Sequence, residues 1–183
     1  MAVTQVKLPL GYSAPDFTLP DVVSGKMLSL NELKGSKGTA VIFICNHCPH
    51  VIHIIRQLVV VGKKYPPKGI SFVLISSNDV VKYPADSPER MAEFAREFDF
   101  PFPYLYDESQ EVAKAFNAVC TPDISVFDEN LKCVYRGQFD NSRSGSGLPV
   151  TGADLQKALD QLLAGEVIDA EQSPGVGCGI KWK

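Results

Sequence analysis

Cys45 and Cys48 are the residues of this 183-residue chain best suited to chemistry. Asn46 and His47 lie between them, and Pro49 follows directly. A continuous apolar run precedes this segment and a helical pattern follows it, so the thiols fall where a buried strand leads into a helix. Free backbone N–H groups at a helix start favour a thiolate, and this spacing brings two sulfurs within bonding reach. The segment therefore predicts a redox dithiol.

The two thiols are expected to have different roles. Cys45 is predicted to project outward and attack a substrate disulfide, after which the more buried Cys48 resolves the mixed disulfide. His47 can stabilise the thiolate when it is protonated. Two ordinary core cysteines would not explain why a proline and histidines surround the pair. This chemistry needs no bound cofactor, and the expected partners are protein disulfides or a thiol reductant.

The elements that must position the dithiol follow from hydrophobic periodicity and capping signals. In chain order they are a strand at 39–44, helices at 49–64 and from Ser87, a strand at 104–106, a helix at 111–116, strands at 124–127 and 131–139, and a last helix between Thr151 and Gly165. A further buried strand at 70–75 follows the first long helix. This order is typical of an α/β fold with a mixed sheet.

Three segments resemble the thioredoxin-like superfamily and, more narrowly, its AhpC/TSA-redoxin branch. They are Gly11-x-x-Ala14-Pro15-Asp16-Phe17-x-Leu19, Cys45-Asn46-His47-Cys48-Pro49, and Thr121-Pro122-Asp123. The resemblance implies a thioredoxin-like fold, with a central mixed β-sheet flanked by helices and an N-terminal β-hairpin extension. It covers about residues 8–165, so we predict a single domain over 1–183 with a C-terminal tail at 166–183.

The resemblance also assigns roles near the dithiol. It implies that Pro122 is a cis-proline facing the thiols and that the backbone of Thr121 pairs with an extended substrate. We predict catalytic roles for Cys45, Cys48, His47 and Pro122, and substrate contacts for Asn46, Pro49 and Thr121.

A peroxiredoxin-like peroxidase is the first alternative, because Cys48-Pro49 resembles a peroxidatic Cys-Pro. However, Cys45 stands where such enzymes carry a threonine, and Val41 stands where they carry a proline. Arg136 and Arg143 are candidates to orient peroxide, although a surface position at a strand end is the simpler expectation.

A zinc or copper carrier is the second alternative. Cys45, Cys48 and His47, together with His50 and His53, offer enough ligands. His50 and His53 fall on the polar face of the predicted helix, where solvent exposure accounts for them. We therefore predict no metal.

The other three cysteines are weaker candidates. Cys120 precedes the Thr121-Pro122 pair and Cys178 lies in a glycine-rich tail, so either is a possible auxiliary redox thiol, and the two are possible partners of each other. An idle buried thiol and a docked tail are the simpler expectations for them. Cys133 alternates within a strand and is predicted to lie in the core.

Composition excludes several classes of protein. The net charge of −3, the pI of about 5.6 and the lack of a basic stripe argue against nucleic-acid binding. The sequence shows neither a secretory signal nor an apolar run of about 20 residues that could span a membrane. We therefore expect a cytoplasmic protein, and the sequence leaves its oligomeric state open.

Overall fold

A computed structural model of the chain describes residues 2–183, which contain ten β-strands and five α-helices. The strands are β1 (Ala2–Thr4), β2 (Thr18–Pro20), β3 (Met27–Ser29), β4 (Gly38–Phe43), β5 (Ile70–Ser76), β6 (Tyr104–Tyr106), β7 (Cys120–Thr121), β8 (Asp123–Asp128), β9 (Cys133–Gly137) and β10 (Val176–Gly179). The helices are α1 (Leu30–Leu33), α2 (Pro49–Lys64), α3 (Pro88–Glu97), α4 (Glu111–Ala115) and α5 (Ala153–Ala164), with 3-10 turns at Pro66–Lys68 and Pro84–Asp86.

The main sheet has five strands in the order β6-β5-β4-β8-β9. β4 runs parallel to β5 and antiparallel to β8, so the sheet is mixed. Ile42 of β4 lies in the core cluster that includes α2, whereas Val41 and Phe43 lie in a second cluster with Phe116. Burial on both faces explains why this strand is apolar at successive positions. The predicted α/β fold with a central mixed sheet flanked by helices is confirmed.

Helix α2 begins and ends at the residues that the sequence pattern predicts, Pro49 and Lys64. Cys48 is its N-cap residue, and Pro49 suits the first turn because its missing N–H leaves no hydrogen bond unmade. Ile55 and Leu58 on its inner face are fully buried. No helix within residues 2–183 is long and apolar enough to cross a membrane. The cytoplasmic location stays a prediction.

The N-terminal extension is the hairpin of β2 and β3, as predicted. Its turn is held by the Asp21 carboxylate, which accepts hydrogen bonds from the backbone N–H and the hydroxyl of Ser24. Gly25 follows with a φ of 71°, a left-handed conformation that glycine adopts without strain.

The start of α5 differs from the prediction. Its N-cap residue is Gly152, not Thr151, and no side chain caps it from that position. The Asp140 carboxylate accepts hydrogen bonds from the N–H groups of both residues instead. A carboxylate from a distant loop has replaced the local cap.

A second sheet of three strands, in the order β1-β10-β7, was not predicted. Its strands have two to four residues and no apolar run, so periodicity gives no signal for them. β10 is the middle strand: Cys178 lies opposite Ala2 on one side and opposite Thr121 on the other. Residues from both ends of the chain thereby join the sheet beside the dithiol.

Candidate active site

The Cys48 sulfur lies where the end of β4 leads into α2, and its side chain is fully buried, at 0% exposure. Donors near this sulfur lower its pKa, namely the thiols of Cys45 and Cys178 and the backbone N–H of Val51. The Thr121 carbonyl oxygen, 3.1 Å from the sulfur, is an acceptor and favours the protonated form. The donors outnumber this acceptor, so the surroundings favour a thiolate at Cys48.

The two thiols of the dithiol have opposite pKa shifts. The Cys45 thiol, with smaller contributions from the Cys178 thiol and the Thr121 side chain, outweighs burial and lowers the pKa of Cys48 to about 4. The interaction with Cys48, together with burial and the negative charge of Asp86, raises the pKa of Cys45 above its ordinary value. These opposite shifts favour a reduced pair that shares one proton, held on Cys45, with the charge on Cys48.

Cys45 does not project outward as predicted. Only 2% of it is exposed, and its sulfur lies 3.4 Å from the Thr121 hydroxyl oxygen. The reason is that the loop formed by Asn46 and His47 folds against the turn at Pro84–Asp86 and covers the thiol. The expected outward nucleophile is thus the protonated, covered member of the pair.

Asp86 organises the loop between the two cysteines. Its carboxylate is fully buried and accepts hydrogen bonds from the Asn46 backbone N–H at 2.8 Å and the Asn78 amide at 2.7 Å. His47 Nδ1 lies 2.7 Å from the same carboxylate, at ion-pair distance but not aligned as a hydrogen bond. The His47 ring stacks on Tyr83, with 5.7 Å between ring centroids. His47 is therefore held by Asp86 and Tyr83.

Asn46 fastens this loop to its neighbours. Its side-chain amide donates to the Ala85 carbonyl at 2.9 Å, and its amide oxygen accepts from the Tyr104 hydroxyl at 3.0 Å. Its observed contacts are thus internal, and its predicted substrate contact stays a prediction. Pro49, the next residue for which a substrate contact is predicted, is exposed at the start of α2.

The Thr121–Pro122 peptide bond is cis, as the resemblance implies. The backbone edge of Thr121 was expected to pair with a substrate, but β10 of the same chain occupies it, with Cys178 directly opposite. Gly177 makes this close approach possible, since a Cβ there would lie 2.0 Å from the Thr121 carbonyl oxygen. The predicted substrate edge is filled by the tail.

The two auxiliary thiols have different surroundings. Cys178 is half-buried beside Cys48, and burial first, then its hydrogen bond to Cys48, raises its pKa to about 11. Cys120 is fully buried, pairs with Gly179 in the strand register, and has a pKa that burial raises to about 12. Successive residues of a strand point to opposite faces, so Cys120 faces away from Cys178. This arrangement disfavours a disulfide between these two residues. Cys133 lies in the second core cluster, as predicted.

The two arginines do not occupy the expected positions. Arg136 is buried, at 6% exposure, and forms an ion pair of 3.2 Å with Asp123. Arg143 donates to the side chain of Gln138 and to the Asp140 carbonyl. A buried carboxylate has drawn Arg136 inside the protein, away from the surface. The described hydrogen bonds of both guanidinium groups go to partners other than cysteine.

Cys45, His47 and Asp86 place their potential ligand atoms within 4.8 Å of one another. This group differs from the predicted metal alternative, since His53 contacts the Ser142 hydroxyl, at 3.0 Å, instead. The attraction between an imidazole and a buried carboxylate accounts for the closeness of His47 and Asp86 without an ion.

Sequence reasoning missed Asp86 and Tyr104, which hold the loop. Asp86 lies 40 residues from Asn46 in the chain, between two prolines that signal only a turn. Tyr104 belongs to a short, largely apolar strand of three residues. Such a pattern does not predict which tyrosine hydroxyl forms a hydrogen bond. The one sequence signal for Asp86 was its position directly before Ser87, the N-cap residue of α3.

Replacing Cys45 by alanine should raise the pKa of Cys48, because the Cys45 thiol makes the largest contribution to stabilising the Cys48 thiolate. Ultraviolet absorbance of the thiolate, followed against pH, measures this change. In the parent protein the inflection is expected near pH 4. Cys133→Ala is the matched control, since Cys133 lies in the other core cluster. An unchanged inflection in Cys45→Ala would contradict the shared-proton description.

Comparison with known proteins places the chain in a family. The model of the AhpC/TSA family matches residues 10–136, which include the dithiol and Pro122. An uncharacterised conserved protein from Geobacillus kaustophilus, of known structure, is 52% identical, with a TM-score of 0.98 over 100% of this chain and 97% of that one. No curated protein matches significantly.

More distant structures share the fold. A peroxidoxin from Mycobacterium tuberculosis is 22% identical, with a TM-score of 0.64 over 86% of this chain and 98% of its own. The thioredoxin domain of a thiol-disulfide oxidoreductase from Bacteroides vulgatus is 20% identical, with a TM-score of 0.64 over 84% of this chain and 99% of its own. At these identities the likeness shows the thioredoxin-like fold alone. The family match covers well over half of the sequence, and the chain therefore belongs to the AhpC/TSA family.

Proposed function

We propose that this protein is a thiol-disulfide oxidoreductase that exchanges its Cys45–Cys48 dithiol with the disulfide of a protein or a small molecule. The observation that supports this most is the position of Cys48 as N-cap residue of α2, where the neighbouring Cys45 thiol lowers its pKa. A thiolate is the reactive form of cysteine, and the neighbour completes the pair that a two-electron exchange requires.

The chemistry proceeds in two steps. The Cys48 thiolate attacks a disulfide, forms a mixed disulfide and releases one thiolate. That thiolate takes up the proton of Cys45, and the Cys45 sulfur then attacks Cys48 and releases the second substrate thiolate, which takes up a proton from solvent. The disulfide is reduced by two electrons and the protein gains a Cys45–Cys48 bond. Because of its low pKa, Cys48 is also a good leaving group in the reverse direction.

The test is the reaction of the reduced protein with a chromogenic aromatic disulfide at pH 7. The wild-type protein should lose two thiols per protein molecule and yield a linked peptide that joins Cys45 to Cys48. Cys48→Ser should form no such link, whereas Cys133→Ser should react like the wild type, since Cys133 lies in the other core cluster. A wild-type protein that forms no such link would overturn the proposal.

A thiol peroxidase is a second candidate, favoured by the thiolate at a helix start followed by Pro49. Cys48 would attack one oxygen of hydrogen peroxide, break the O–O bond and become a sulfenic acid, while the other oxygen leaves as hydroxide and takes up a proton. Cys45 then converts the sulfenic acid to a disulfide with loss of water. This function requires hydrogen peroxide to oxidise the protein much faster than it oxidises free cysteine. Stopped-flow oxidation of the reduced protein, with Cys48→Ser as the control, separates the two candidates.

A further inference from the structure

The dithiol described above has no open route to solvent in this structure. Cys48 is 0% exposed and Cys45 is 2% exposed. Cys178 is the exception among the three neighbouring thiols, since it is only half-buried. A reagent in solution therefore meets Cys178 before either member of the dithiol.

Thr121 brings the three thiols together. Its hydroxyl oxygen lies 3.4 Å from the Cys45 sulfur, its carbonyl oxygen lies 3.1 Å from the Cys48 sulfur, and it stands opposite Cys178 in the strand pairing. Cys178 packs against the core cluster that contains Cys45 and Cys48. Transfer of a disulfide among these thiols needs only that each sulfur attacks its neighbour.

The backbone fixes Cys178 in this position. β10 is paired on both sides, and Cys178 stands in register with Thr121, whose hydroxyl contacts Cys45. The strand is continued by Ile180, whose N–H donates to the Val119 carbonyl at 3.0 Å, and by Lys181, whose N–H donates to the Asn78 side chain at 2.8 Å. A C-terminal tail without a function would not need these backbone hydrogen bonds.

We propose that Cys178 is a third redox thiol, which relays disulfide exchange between solvent and the covered Cys45–Cys48 pair. This relay rests on the proposed function. The ligand class at Cys178 is a small disulfide or its thiol, such as a glutathione-like molecule, that reaches a half-buried sulfur.

Each step of the relay balances. Cys178 attacks the external disulfide, forms a mixed disulfide and gives its proton to the external thiolate that leaves. The Cys48 thiolate attacks the Cys178 sulfur, breaks the mixed disulfide and releases the second external thiolate, which takes up a proton from solvent. Cys45 then attacks Cys48, breaks the Cys48–Cys178 bond and passes its proton to Cys178. One external disulfide has been reduced and the Cys45–Cys48 disulfide has formed.

The first test traps the relay intermediate. The Cys45→Ser variant cannot complete the last step, so treatment with oxidised glutathione should leave a linked peptide that joins Cys48 to Cys178. The double variant Cys45→Ser/Cys178→Ser should yield no such internal link. If Cys45→Ser instead accumulates glutathione on Cys48, the external disulfide reaches Cys48 directly and the relay is wrong.

The second test measures rate in the opposite direction. The oxidised protein is mixed with reduced glutathione, and the Cys178→Ser variant should be reduced at least about tenfold more slowly than the wild type, since the contact that makes exchange intramolecular is lost. Cys120→Ser is the matched control, because Cys120 faces away from Cys178 on the neighbouring strand. Circular dichroism and thermal unfolding establish that each variant is folded.

The outcomes separate the two proposals. Equal rates for Cys178→Ser and the wild type, with a Cys45–Cys48 link still formed, would overturn the relay and leave the proposed function intact. A wild-type protein that forms the Cys48–Cys178 link but no Cys45–Cys48 link would overturn the proposed function.

Discussion

Replacing Arg136 by leucine should lower the free energy of unfolding by about 3–5 kcal/mol, the cost of leaving a buried charge without its partner. The side chains of Arg136 and Asp123 are 3% and 1% exposed, and their ion pair measures 3.2 Å. Arg136 also donates to the Ser125 hydroxyl at 2.8 Å and to the Asn117 carbonyl at 3.0 Å. The leucine variant would leave all three acceptors without this donor. Chemical denaturation at pH 8 measures the loss.

The deficit of this variant should grow with pH. Burial raises the pKa of Asp123 to about 6, and Arg136 opposes that rise. Without the arginine the pKa of Asp123 in the folded protein rises further above its ordinary value of 3.8. The folded state then binds more protons than the unfolded state, so stability falls as the pH rises through that interval. The variant should therefore lie closer to the wild type at pH 5 than at pH 8.

Lys63→Leu is the matched control for Arg136→Leu. Lys63 forms an ion pair of 2.8 Å with Asp99, but both side chains are at least half exposed. Such a surface pair contributes about 0–1 kcal/mol. Equal losses of stability in the two variants would show that burial of the Asp123 charge is not the cause.

Replacing Gly177 by alanine should separate β10 from β7 and uncover Cys48. The new methyl group would lie 2.0 Å from the Thr121 carbonyl oxygen and 2.5 Å from its carbon, so backbone has to move. Such overpacking costs about 1–3 kcal/mol. Because alkylation of a covered thiol requires local opening, a loss of about 1.4 kcal/mol should accelerate alkylation of Cys48 by about tenfold. Mass spectrometry of the alkylated peptide gives the rate.

Gly179 offers a control on the same strand. A methyl group there would lie 3.3 Å from the Val3 side chain and 3.9 Å from the Val119 carbonyl oxygen, so Gly179→Ala should leave both stability and alkylation close to those of the wild type. If Gly177→Ala is folded and Cys48 reacts at the wild-type rate, the tail does not protect the thiol.

The predictable part of the fold is the part with long, regular patterns. The apolar run of β4 is set by burial in both core clusters and the helical periodicity of α2 by burial in one of them, so residue types alone reveal these two elements. β7 and β10 are held together by backbone pairing over two to four residues. One of these residues, Gly177, fits there because it has no side chain. Pairing between segments about 57 residues apart leaves no periodic trace in either segment.

The candidate site, like the fold, has a part that the sequence predicts and a part that it does not. Position at a strand end and before Pro49 predicts a thiolate at this dithiol, and the lowered pKa of Cys48 agrees with it. Which sulfur carries the charge depends on donors that come from elsewhere, above all Cys178 and Thr121, in addition to the neighbouring Cys45. The sequence order of the two cysteines therefore suggested Cys45 as the nucleophile, whereas their three-dimensional surroundings favour Cys48.

The place of β10 between β1 and β7 has a consequence for the protein during its synthesis. A ribosome adds roughly 5–20 residues per second and releases the C-terminal segment last. Until residues 176–179 emerge, β1 and β7 have no strand between them, and nothing from the tail covers Cys48. A chain whose synthesis has not reached residue 176 therefore lacks the strand that pairs with Thr121 beside Cys48.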